Sequence, residues 1–164
     1  MNKSIFSMNT LSKYGDLFQI IGVIGLIASL IFVGMELRQS QQIALVEQQV
    51  ERTKAFTELY NTATNNNLAY LHPNNDYNEY EVFFYNFQHM FWNISETDYL
   101  KYRLGLMDES IWQSRYSIMK RIKSREESTD RDCGILERVW EAKKRQLDTE
   151  FIKLIEAIPS RNCS

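Results

Sequence analysis

The sequence predicts an all-α protein in which one transmembrane helix continues into a stalk and leads to a small helical bundle. From Leu17 to Met35, nineteen residues pass without a charge, bracketed by Asp16 and by Glu36 and Arg38. Beyond Gln39 the apolar residues recur at helical spacing, and no stretch shows the strict alternation of a half-buried strand. As a helix the uncharged run covers roughly 28 Å, close to the hydrocarbon thickness of a bilayer. It is apolar all round, with Gln19 and Ser29 as polar interruptions. The expected organisation is a tail over 1–16, the span over 17–37, a stalk over 38–71 that packs on the bundle, the bundle over 77–159 and a tail over 160–164.

The span reads as an uncleaved anchor. A signal peptide has an apolar region of about 7–15 residues before a small-x-small cleavage site. Here the run is longer, and a cut after Gly34 would place the bulky Phe32 at the −3 position. Summed insertion terms of roughly −3 to −5 kcal/mol let the segment enter lipid alone. The basic residues near its two ends almost balance, with Lys3 and Lys13 before it and Arg38, Arg52 and Lys54 after it. Arg38 at the boundary gives the expectation of a cytoplasmic carboxyl-terminal domain. Gly25 and Ser29 form a small-xxx-small step with Gly22 nearby, a possible helix-pairing face, although glycine is common in such helices anyway.

The stalk carries Ile43, Val46, Val50 and Thr53 at alternating spacings of three and four, widened by Leu45, Phe56, Leu59 and Tyr60. That stripe reads first as a face that packs on the chain's own later helices and second as a seam against another subunit, since its heptad is short and Thr53 interrupts it. The Asn-rich stretch 61–67 weakens helical order, and His72-Pro73-Asn74-Asn75-Asp76 is a loop by composition. A second helix starts near Asn78, bears Phe83, Phe84, Phe87, Met90, Phe91 and Ile94, and runs to Leu104, where Gly105 makes a left-handed stop. Asp108 then caps a third helix with Ile111, Trp112, Ile118, Met119 and Ile122. A charged turn over 124–130 precedes a helix with Ile135, Leu136, Val139 and Trp140. Asp148 caps the last one, through Phe151, Ile155 and Ile158, until Pro159.

With 164 residues, a net charge of −2 and a pI near 5.8, the chain lacks the positive excess of a nucleic-acid-binding protein. The aromatic residues around Phe84, Phe87, Phe91 and Trp92 read first as core and second as the lining of a ligand pocket. Cys133 and Cys163 are too few for a disulfide framework or a zinc site, so free thiols and a reducing compartment are expected. His89 reads as a hydrogen-bonded, partly buried structural histidine, and His72 as solvated. Glu47, Glu51 and Glu58 look like a solvated helix face. Neither histidine has a partner at metal-ligand spacing, and no nucleophile elbow or phosphate loop is present. No catalytic residue, metal or cofactor is therefore expected. The densest basic group, Lys120, Arg121, Lys123 and Arg125, could face anionic lipid, although Glu126, Glu127, Asp130 and Asp132 neutralise it locally.

The run from Ile21 to Ser40, IGVIGLIASLIFVGMELRQS, resembles the boundary of a widespread group of small uncharacterised bacterial proteins. In that group an apolar span ends in an L-x-x-Q-I-R-Q-N-like motif before a helical domain. The stretch from Tyr102 to Trp112, YRLGLMDESIW, is similar to the group's aromatic-basic-Gly-Leu-Leu-Asp-Glu-x-x-Trp turn. Glu36 and Ser40 depart from the usual Gln-like and Asn positions. The resemblance implies a bacterial inner-membrane, single-pass protein with a helical domain, and brings no activity with it. The functional expectation is a membrane-anchored interaction or scaffold module. Its partners would be the bilayer and either a second copy or another protein, and not nucleic acid. The alternative is a small-ligand or lipid sensor.

Overall fold

The computed structural model describes residues 5–70 and 77–163, with the side chains of residues 15, 17–70 and 77–163. Among the described residues it is all-helical: α1 (Ile5–Asn65), α2 (Glu79–Arg103), α3 (Glu109–Ser124), α4 (Asp130–Lys143), a 3-10 turn (Lys144–Gln146) and α5 (Thr149–Glu156). The His72–Asp76 loop of the sequence reading lies outside the described residues. Two compact units divide within α1, Met1–Ile43 and Ala44–Ser164. Helix begins at Ile5, so most of the expected tail is helical, as befits a stretch without proline.

In the first unit every side chain from Leu17 to Leu37 is exposed, and its apolar window reaches a mean hydropathy of 2.5. It is a helix long and apolar enough to cross a membrane. No tertiary packing explains its composition, since none of that window is buried.

In the second unit the helix ends follow from local chemistry. The α1 terminus closes with Asn67 at φ 53°, and the Leu68 amide donates back to the Ala63 carbonyl at 2.9 Å. Asparagine tolerates this left-handed position better than most residues. Asn78 and Glu81 form a reciprocal capping box at the start of α2. Gly105, at φ 72°, ends α2, with the Leu106 amide bonded to the Lys101 carbonyl at 2.9 Å. Asp108 occupies the N-cap of α3 in an extended conformation without a side-chain capping bond. Asp148 accepts from the Glu150 and Phe151 amides at 3.0 and 3.1 Å.

The core gathers around aromatic rings. Trp92 of α2 meets Trp140 of α4 at 4.7 Å, and Trp112 of α3 stacks on Tyr102 at 4.8 Å. Ile135, Val139, Phe151 and Ile155 are fully enclosed. Only part of the stalk stripe is enclosed: Val46 and Tyr60 are buried, Ile43, Leu45 and Leu59 are exposed, and Thr53, which interrupts the apolar stripe, shares a 2.8 Å hydrogen bond with Thr97 of α2.

Two expectations are corrected. Cys133 and Cys163 are joined in a disulfide, with Cα atoms 5.5 Å apart, so there are no free thiols. Their separation of thirty residues gave no hint. The tail is turned back by the Arg161 amide, which donates to the Ser124 carbonyl at 2.9 Å. The second correction concerns the aromatic stretch. Phe83 and Phe87 do not join the core but stand 53% and 39% exposed.

Candidate functional site

The amphipathic logic of α2 is partly inverted. One face, Asn86, His89, Asn93, Glu96 and Thr97, is polar and buried; another, Tyr80, Phe83, Phe87 and Ile94, is apolar and exposed. The spacings of three, four and seven place each set on one face of the helix.

Hydrogen bonds explain most of the polar face. The Asn86 amide group donates to the Thr64 hydroxyl and the Leu68 carbonyl, both at 2.9 Å, while its oxygen accepts from the Tyr70 amide at 2.9 Å. A single side chain thus fixes the backbone that leaves α1. Glu96 accepts from the Asp148 amide at 2.6 Å and from Gln49 Nε2 at 2.9 Å, tying α2 to the stalk and to the start of α5.

His89 breaks this order. Its ring lies among Tyr60, Tyr70 and Tyr85 at centroid distances of 5.8, 6.0 and 4.8 Å, and among the described residues neither buried ring nitrogen has a hydrogen-bond partner. Among the described residues the expected hydrogen bonds are not made, and the neighbours of the ring are the aromatic side chains of Tyr60, Tyr70 and Tyr85. Burial, reinforced by the positive charge of Lys143, pushes its pKa down to about 3. His89 is therefore neutral at ordinary pH, and the charge acting on it belongs to another base rather than to an acid. That is the reverse of the arrangement that activates a catalytic histidine.

Lys143 is itself enclosed, 1% exposed, with its ammonium 5.1 Å from the Phe56 ring centroid. It donates to the Tyr60 hydroxyl and Gln146 Oε1 at the long distances of 3.5 and 3.4 Å. Burial lowers its pKa to about 8, with Glu96 opposing the shift and Arg52 adding to it. The Tyr60 phenol is pushed up by burial. This Tyr60–His89–Lys143 group went unnoticed in the sequence. Its signal is the recurrence of Asn86, His89, Asn93 and Glu96, which resembles a solvated stripe until its partners are known.

The exposed apolar row is the other candidate. Phe83 and Phe87 stack at 6.0 Å, and Ile94 borders a groove of about 290 Å³ whose other wall is Val50, Thr53 and Thr57 of the stalk. Lys54, Glu58, Asp98 and Lys101 rim this groove.

The remaining expected residues are scattered. Trp92 is packed against Trp140 and Phe151, and Phe91 against Trp92. Phe84 borders a different cleft of about 240 Å³. Phe87, Phe91 and Trp92 do not line the cleft beside Phe84. The basic group divides as well: Lys120 and Arg121 are exposed, whereas Lys123 lies 4.8 Å from the Trp140 ring centroid and Arg125 is buried beside Glu137, at 3.5 Å. A patch of four outward charges is not formed. Gly22, Gly25 and Ser29 are exposed on α1, with open space around the position of an added Cβ at both glycines. Among the described residues no group of three acidic, histidine or cysteine side chains could hold a metal ion.

No family model, curated protein or solved structure matches the chain.

Proposed function

We propose that this protein is a single-pass, membrane-anchored helical module of a bacterial inner membrane, without catalytic activity, whose partner is a second copy of itself. The carrying observation is the uncovered row Tyr80, Phe83, Phe87 and Ile94 on a helix whose opposite faces are packed. Large apolar side chains aligned on one exposed face are characteristic of association surfaces. The Gly22, Gly25 and Ser29 face of the apolar helix supports the same partner, because small residues let two identical helices approach closely in lipid. Confinement to a bilayer raises the effective concentration of both surfaces.

The ligand-sensor reading has less support, since Phe87, Phe91 and Trp92 do not line the cleft beside Phe84. The module reading is tested by placing a photo-crosslinking side chain at position 87 in membranes, with position 113 on α3 as an exposed control. Dimers of the chain are expected from position 87, and their loss in a Phe83→Asp variant. Equal dimer yield from both positions, or none from position 87, refutes the proposal.

A further inference from the structure

We infer that the globular unit lies on the oxidising face of the membrane, with the residues before Leu17 on the reducing face, and that the Cys133–Cys163 bond clasps the carboxyl-terminal segment to the fold. The inference rests on the reading that the apolar helix crosses a membrane. Disulfides persist in oxidising compartments and are rare where glutathione and thioredoxin keep thiols reduced.

Contacts independent of sulfur bring the two cysteines together. The Arg161 amide donates to the Ser124 carbonyl at 2.9 Å, its guanidinium reaches Asp130 at 3.0 Å and the Ser128 carbonyl at 3.3 Å, and Arg125 Nη1 donates to the Arg161 carbonyl at 3.2 Å. These bonds lay the tail along the turn between α3 and α4. There the Cα atoms stand 5.5 Å apart, within the range a disulfide spans. Cys133 is fully buried, and the chain holds only 2 cysteines, so no third thiol competes for the pair.

Charge does not oppose this orientation. Lys3 and Lys13 nearly balance Arg38, Arg52 and Lys54, and the positive-inside bias acts on loops shorter than about 60 residues, whereas long domains cross largely regardless of charge. The cytoplasmic placement expected from Arg38 therefore gives way to the chemistry of the cysteines.

The test expresses the full chain in a bacterial host, with alkaline phosphatase, which folds only on the oxidising side, or green fluorescent protein fused after Ser164. Membranes are extracted at alkaline pH, and the thiols of the unfused chain are counted after denaturation by maleimide-polyethylene glycol gel shift with and without reductant. Retention in the membrane, an active phosphatase fusion, a dark fluorescent fusion and 2 adducts that appear only after reduction are expected. Membrane retention with a fluorescent fusion and an inactive phosphatase overturns the orientation, whatever the thiols show. An active phosphatase with freely alkylated thiols overturns the clasp. Release into the soluble fraction overturns the membrane reading itself, and the orientation with it.

Discussion

The apolar half of α1 and the buried faces of α2 break the same rule in opposite directions. Between Leu17 and Leu37 a helix exposes Leu, Ile, Phe and Val on every side, while α2 encloses Asn86, His89, Asn93, Glu96 and Thr97. Both are reasonable once the surroundings of each are named. An all-round apolar helix is stable where the solvent is hydrocarbon and the backbone bonds are satisfied internally. A polar helix face is stable inside a bundle where its groups find partners, as Asn86 and Glu96 do and His89 does not. Composition alone is thus a poor guide to burial; the partner decides.

The comparison can be broken most forcefully in the apolar helix. A Leu26→Arg, Ile27→Arg double substitution places two charges at mid-span and costs about 6 kcal/mol of insertion free energy, more than the roughly 3 to 5 kcal/mol that favours insertion. Loss of protein from the alkaline-extracted membrane fraction is the expected result, and full retention would contradict the membrane reading.

On the α2 side, Asn86→Ala strands the Tyr70 amide and the Leu68 carbonyl at the exit of α1. It should destabilise the globular unit by about 2–3 kcal/mol in denaturant unfolding of the detergent-solubilised chain. An effect near zero would mean that water satisfies these groups equally well.

His89 sharpens the contrast through pH. Its folded pKa of about 3 lies below the ordinary 6.5, so the unfolded chain takes up the proton first. Stability is then lost as pH falls from about 6.5 toward 3, by about 2 kcal/mol at pH 5. His89→Phe should flatten this acid limb when unfolding is followed against pH.

Lys143 gives the smallest effect at neutral pH, and its pH window has the same sign as that of His89 but lies on the alkaline side. Its pKa of about 8, below 10.5, means that the unfolded chain holds the proton more tightly, so stability rises between about pH 8 and 10.5. Lys143→Met should remove that rise and stabilise the protein at pH 7 by about 1 kcal/mol, as replacement of a buried charge by an apolar chain of similar length often does.

Local chemistry made much of the architecture legible. The uncharged run marked the apolar helix, the Asn-rich stretch and Gly105 marked two helix ends, and Asp148 marked the start of α5. Each of these depends on neighbours within a few residues, which is why the sequence by itself determined the all-α fold and the order of its elements. Which face of α2 turns inward depended on residues far away in the chain: Tyr60, Thr64 and Gln49 on the stalk and Lys143 on α4. Phe83 and Phe87 look like core until those partners claim the polar face. The disulfide joins positions thirty residues apart and depends on where the tail is laid. Tertiary structure alone decided these matters, because a buried polar group, an exposed ring and a sulfur pair are each defined by what lies across from them in space.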